Sequence, residues 1–387
     1  MFTTSIFRVP LSAFLAITAM FHVSAQSFTQ TFGGAGAQDG VGAWPVNNGY
    51  RVAVRTHEGA DQRFYGVLHS TTGSGSLAGS NTWPFPGNTF LQNAAPAPDG
   101  SSFVLGSALQ AGIGKHDAFF SKVGSDGAIA WTQSPSQPGS QQLFGGVALS
   151  DGGAVFCGLI DTASFHQPFA IRCDASGNIL WSYTEPTPIH AEAYAVAADG
   201  GHLLFTGRTS TFSGHDDMLL FKTDMNGNSI WSSSFGGSAT DVGRSISPLG
   251  SGNYVVAGWS DSFGPMDQSS SRRVSRAYLV AFDMNGDTLW TRTVGDTTYD
   301  QHVHAMDRLP SGELVLAGER RTLTGSDAVV LKITAIGDVL WERVFDLGRE
   351  DRLTHVTALS DGLIATGWSF GEFGRQVLLI RRNPDGN

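Results

Sequence analysis

The chain is written in one unit of about fifty residues that recurs from end to end, and fixed-period self-similarity decides the architecture before any single residue does. The clearest copy runs from Asp199 to Gly237, DGGHLLFTGRTSTFSGHDDMLLFKTDMNGNSIWSSSFGG. It holds a turn, a strand, a variable loop, a second strand, another turn and a Trp-bearing strand. Two markers count the copies. A polar-Gly turn before an apolar strand occurs at Asn48-Gly49, Asp99-Gly100, Asp151-Gly152, Asp199-Gly200, Ser251-Gly252, Ser311-Gly312 and Asp361-Gly362, which makes seven. A Trp after a second Gly-containing turn occurs at Trp83, Trp131, Trp181, Trp231, Trp290 and Trp341, spaced by 48, 50, 50, 59 and 51 residues.

The seventh Trp strand is absent: the last unit reads VLLIRRNPDGN and stops at Asn387, where other units continue into SIWSSSFGG or TLWTRTVGD. At the other end Ser27 to Gly34, SFTQTFGG, matches the tail of that strand and has no unit of its own. The ends complete one another, as a circular array requires, since an open one would leave sheet edges unpaired. The expected fold is therefore all-β: a seven-bladed β-propeller of four-stranded antiparallel blades, closed by pairing of the N- and C-terminal strands. Ser27 to Phe32 should lie beside Val377 to Arg382.

Residues 1–25 carry one basic residue, Arg8, an apolar run from Val9 to Phe21 and the small-residue site Val23-Ser24-Ala25, the form of a secretory signal peptide. The run is too short for a transmembrane helix, which needs about 20 residues. Removing 25 residues from 387 leaves 362 for one domain over 26–387, or about 52 per unit, a blade-sized repeat. Only 15% of the chain is charged while 49 residues are Gly, a balance that suits short strands and tight turns.

The fifth unit shows the strands: Asp241 to Leu249 innermost, Tyr254 to Trp259 second, Tyr278 to Asp283 third and Thr288 to Val294 outermost. β-Branched and aromatic runs bounded by Gly, Asn and Asp are the composition of hairpins. The Trp of each outer strand is expected to pack in the core against the neighbouring sheet. The first unit is degenerate, with TTGSGSLAGS at Thr71 to Ser80, and the fifth holds the longest insertion, Asp261 to Arg276, with Arg272, Arg273 and Arg276. Such loops share a face with the links between blades, where insertions are tolerated and function collects.

The combination of DGG before a VVAG-like strand, L-x-K-x-D-x-NGN-x-x-W and F-GG resembles the repeat of secreted bacterial β-propeller proteins, quinoprotein- or Kelch-like in look, and spans 26–387. The resemblance implies export and says little about activity. A quinone cofactor is not expected, because the Asp-x-x-Thr-Gly-Lys turn is missing; no cofactor is assigned.

Asp224-Met-Asn-Gly-Asn228 and Asp283-Met-Asn-Gly-Asp287 look like the start of a calcium loop, but Gly falls at position four rather than six. They read as hairpin turns that use Asn and Gly at positive φ. His302 and His304, on one face of an inner strand, and His355 at a similar place in the next unit point to the central channel, as do Glu192 and Arg244. Without a clear carboxylate or Cys partner they read as a polar lining rather than a metal site. Candidate binding residues are thus Arg272, Arg273, Arg276, Glu192, Arg244, His302, His304 and His355. Cys157 and Cys173, the only cysteines, fall on neighbouring strands of one blade. A bridge between them would close a loop of about 15 residues, worth roughly 3 kcal/mol; two buried thiols are the other reading, as Cys157 matches Ala257 and Ala317.

A formal charge of −10 argues against nucleic acid. No nucleophile elbow, P-loop or dinucleotide fingerprint stands in a strand-turn-helix context, so no catalytic residue is assigned. The expectation is a monomeric, non-catalytic binding or interaction module with a protein or glycan partner on the loop face, secreted or held at the cell surface or in the periplasm. A polysaccharide lyase or glycosidase and an envelope-assembly protein are the alternatives. Acidic residues with perturbed pKa at the channel mouth would favour the enzyme, and an exposed apolar patch the binding module.

Overall fold

The computed structural model describes residues 26–387 apart from 35, 59–62, 84–87, 111–113, 136, 163–164, 185–189, 211–213, 268–271 and 372–373. The expected signal peptide and parts of several loops lie outside these residues. Among the described residues no helix is long and apolar enough to cross a membrane.

Seven four-stranded antiparallel blades follow one another. Their innermost strands are Ala37–Val46, Asn88–Pro96, Ser140–Ala148, Ala191–Asp199, Asp241–Gly250, Asp300–Arg308 and Glu350–Leu359. In blade seven the outer strand is Phe28–Phe32, paired antiparallel to Gly374–Arg382 with Thr31 opposite Leu378. The closure expected from the two incomplete ends is thereby realised. The insertion of blade five forms a small hairpin, Met266–Asp267 against Arg272–Arg273.

The core lies between blades rather than within them. Leu204, Met218 and Leu220 of blade four, for example, pack on Tyr254, Val256, Tyr278 and Phe282 of blade five. Full burial of such side chains contributes about 2 kcal/mol each. A clasp at the rim joins neighbours. Trp181 donates its indole N–H to Met225 O at 2.9 Å, in the turn of the next blade, and Trp131, Trp231 and Trp341 do the same to Ala175, Met284 and Pro384. Each indole covers a turn glycine: at Gly227, φ +82°, a Cβ would stand 3.1 Å from Trp181. The glycine is needed both for its left-handed backbone and for the flat contact.

Two sequence readings are corrected here. Trp83 does not belong to the clasp series: Gly79 stands opposite Ser70, the register at which Trp181 faces Arg172, and Trp83 follows the strand, buried beside Gly66 and Leu91. Cys157 and Cys173 are not bridged. Cys157 stands opposite Ala170 and Cys173 opposite Ala154, so an odd offset puts them on opposite faces of the sheet. One packs toward Phe205 of blade four, the other toward Phe120 of blade two.

Candidate functional site

Every innermost strand carries a β-bulge at the same level. The residues skipped in the ladder are Val41, Gln92, Phe144, Tyr194, Arg244, His304 and Thr354, one per blade. A bulge re-aims its extra residue, and all seven line the central channel, in a cavity of about 1070 Å³ that opens on the loop face. Below them the channel narrows to about 290 Å³ toward the face of short turns. Arg244, Tyr194 and His304 line both parts, which puts them at the waist.

The second strand supports this geometry through a glycine. At Gly207 a Cβ would lie 1.8 Å from Glu192 O, and at Gly318 1.9 Å from His302 O, so only Gly lets the two strands meet just before the bulge. The residue after that glycine stands at the mouth: Arg208, Trp259, Glu319 and Trp368, with Arg55 at the same level in blade one. The sequence reading missed Trp259, Glu319, Trp368 and Arg55. Superposing the repeats on the Ala-Gly or Thr-Gly pair of the second strand would have found the first three, since each follows that pair directly.

Glu319 is the hub. Its carboxylate receives Arg352 at 2.7 and 2.8 Å and Arg321 at 3.1 Å, while His304 Nε2 stands 3.7 Å away and His302 Nδ1 3.9 Å. Burial alone would raise its pKa; the closeness of His304 and Arg352 outweighs that and holds it well below the usual carboxylate range. Burial pushes His302 down to about 3 and His304 down to about 4, so both rings are neutral near pH 7. His302 stacks on Trp259 at 4.7 Å and hydrogen-bonds Ser275 Oγ at 2.8 Å. Across the mouth Asp39 binds Arg55 at 2.7 Å and Arg375 at 3.2 Å, and Arg375 lies over Trp368 at 4.1 Å. Glu192 binds Arg208 at 2.8 Å and accepts the Tyr194 hydroxyl proton. Arg244 lies over the Tyr194 ring at 4.3 Å.

The structure brings Arg244, His302 and His304 of the sequence candidates to the mouth and places Glu192 beside them through Tyr194 and Arg208. His355 is elsewhere. The bulge in blade seven falls on Thr354, so His355 occupies the register of Ala305, is buried in the narrow part and faces Ala94 O at 3.1 Å. Arg272 forms a two-pronged pair with Asp300 at 3.0 and 2.8 Å, and Arg273 donates to Gly264 O at 2.9 Å. Arg276 is buried, with its guanidinium on Gly295 O at 2.7 Å, and has no surface to offer a ligand. Among the described residues no group of three or more His, Cys, Asp or Glu is arranged to hold a metal ion. A planar quinone does not fit the mouth either, since Trp259 already stacks on His302 and Trp368 already carries Arg375.

Comparison with solved structures confirms the fold. The chain superposes on the WD40 domain of Pan2 from Neurospora crassa with a TM-score of 0.53 at 8% identity, covering 90% of each chain. The β-propeller domain of the Trilobed protease from Pyrococcus furiosus gives 0.53 at 6% identity, with 92% of this chain and 98% of that one covered. The periplasmic gluconolactonase PpgL of Pseudomonas aeruginosa gives 0.53 at 14% identity, with 91% and 94% covered. At such identities the likeness is one of fold. A search among curated protein sequences gave no match. A family model, however, matches residues 121–367, well over half of the chain and reaching from the third strand of blade two into blade seven. By that match, and by the quinoprotein-like repeats that carry it, the chain belongs to the family described as outer membrane protein assembly factor BamB.

Proposed function

We propose that the protein is an exported, non-catalytic interaction module, active as the single domain 26–387 after loss of 1–25, that receives a segment of a partner protein on the loop face at the channel mouth. The observation that carries this reading is the composition of that face in blades five to seven. Phe263, Met266, Leu323, Leu347 and Phe370 are all exposed there, at the loop-side ends of their blades. They flank a mouth built from Arg55, Arg321, Arg352 and Arg375 with Trp259 and Trp368. Aromatic residues, Met and Arg are the types enriched where proteins meet, and a mixed apolar and cationic face suits a peptide segment better than a neutral glycan. The name of the matched family, an assembly factor, points the same way.

The enzyme alternative finds little support in the mouth. Of the four acids that line it, Asp39, Asp261, Glu319 and Glu350, the first and third are each held by two arginines, and Glu319 is kept ionised rather than poised to donate a proton.

Leu323 is fully exposed, so it can carry a photo-cross-linking amino acid without disturbing the core. In the producing cell, cross-linking from position 323 should trap a discrete protein partner, while the same group at Asn226, on the turn face, should trap none. Partner adducts only from Asn226, or none from either position, would overturn the reading.

A further inference from the structure

The arginines of the mouth fall into two kinds. Arg55 and Arg375 share Asp39, Arg321 and Arg352 share Glu319, and Arg208 binds Glu192 and Asp216. Arg244 alone, among the described residues at the mouth, has no carboxylate and no hydrogen-bond acceptor. Its Nε is buried without a partner, and burial lowers its pKa. Arg244 is half-buried on the channel wall, and a buried N–H left unpaired is costly unless something completes it.

Arg244 is held ready rather than collapsed onto a neighbour. Its guanidinium lies over Tyr194 at 4.3 Å and near Trp259 at 6.0 Å, and Tyr194 is itself anchored by donating its hydroxyl proton to Glu192. Stacking fixes the plane of the fork while leaving its N–H edge available, because a ring face takes no hydrogen bonds from that edge. The bulge on which Arg244 sits directs it to the waist, between the wide and the narrow parts of the channel. The acid whose charge reaches it, Glu192, is already committed to Arg208. The neighbouring ring His304 is neutral near pH 7, and its Nε2 turns toward Glu319 at 3.7 Å.

We infer that the waist of the channel is a carboxylate-binding site in which Arg244 grips one acidic side chain of the partner segment that enters the mouth. The reading of the mouth as a protein-docking face supplies the carrier; the anion site itself rests on Arg244. One uncompensated charge matches a monoanion, and a planar fork matches a carboxylate in two-pronged fashion, whereas a phosphate dianion would bring a second charge that nothing at the waist offsets. The cavity of about 1070 Å³ above the waist has room for an extended peptide to lower such a side chain.

The test is a titration of the 15N-labelled protein, residues 26–387, following the Arg244 Nε–H resonance with N-acetyl-glutamate N-methylamide as probe. Saturable movement of that resonance is expected, with binding weakened roughly tenfold or more in Arg244→Gln and partly kept in Arg244→Lys. Galacturonate and inorganic phosphate are titrated in parallel. An unmoved resonance, or unchanged affinity in Arg244→Gln, would remove the site. Movement by galacturonate but not by the glutamyl probe would overturn the peptide source, and tighter binding of phosphate would overturn the carboxylate. The wild-type resonance decides the matter even if Arg244→Gln fails to fold. Loss of the site leaves the cross-linking result at Leu323 untouched, so failure here and failure of the docking face are read separately.

Discussion

Phe28 faces Arg381 in the register of the closing blade, the same relation that Trp181 has to Arg172 in blade three. The equivalence extends to the neighbour. A Cβ on Gly75, in the third-to-fourth-strand turn of blade one, would fall 2.4 Å from the Phe28 ring, just as the turn glycines of other blades meet Trp. Phe28 is therefore the sixth aromatic clasp, after Trp131, Trp181, Trp231, Trp290 and Trp341, and it is supplied from the opposite end of the chain. Arg382 ties the same strand with bonds to Phe28 O and Thr29 Oγ1, both at 2.7 Å.

Removing residues 26–34 should consequently open the ring and lower the melting temperature markedly. Phe28→Ala, which leaves the strand but empties the clasp, should cost about 3 kcal/mol. Urea unfolding of the two variants measures both. A deletion that melts like the wild type would mean that closure contributes nothing to stability.

The circular fold was legible because it arises from a periodic pattern and two incomplete ends, both of which are local facts about strands and turns. Site residues were legible only in part, for a geometric reason. Simple alternation puts His302 and His304 on one face, yet the bulge between Val303 and Ala305 interrupts that alternation, as its counterpart does in every blade. One skipped residue reverses the facing of every later residue on the strand, and His355, fifty residues after Ala305 rather than after His304, lies just past the bulge and not on it. Strand period alone cannot reveal a bulge; the Ala-Gly pair on the facing strand can, since its glycine is demanded by the carbonyl that precedes the bulge.

The two cysteines give a second test. Burial pushes Cys173 up to about 11 and Cys157 higher still, so neither thiolate is available at neutral pH. The folded protein should react with a thiol reagent only slowly, and the denatured, unreduced protein should release two thiols. Fewer than two would mean that the sheet does not separate them.

Stability should also fall as the pH drops through the range in which histidines titrate. In the folded chain His69, His304 and His355 are lowered to about 4 and His302 to about 3, all by burial, against about 6.5 when unfolded. Above pH 6.5 both states carry neutral rings and nothing changes. Between about 6.5 and 4 the unfolded chain takes up protons that the folded chain refuses, so folding weakens as pH drops, by on the order of 1 to 2 kcal/mol per histidine at pH 5. Glu319, whose folded pKa is depressed, adds a further loss below about 4.5. Urea midpoints at pH 7.5 and 5 measure the first effect, and His304→Gln should make the slope between them shallower. A flat profile would place these rings in contact with water.

The basic insertion of blade five looked like one docking element in sequence, but its three arginines should separate on mutation. Arg272 holds Asp300 with more than half of its side chain exposed, so Arg272→Ser should cost less than about 1 kcal/mol. Arg273 is exposed on the hairpin and should be equally tolerant. Arg276 is different: it is 4% exposed, its guanidinium closes on Gly295 O, and its aliphatic stem packs beside Gly264. Arg276→Ser would leave that carbonyl without its donor and a gap beneath the insertion, a loss of about 2 kcal/mol or more. Thermal melts of the three single variants should therefore show two near the wild type and one well below it. Equal melting of all three would mean that the insertion is not anchored through Arg276, and all three would return as candidates for the docking face.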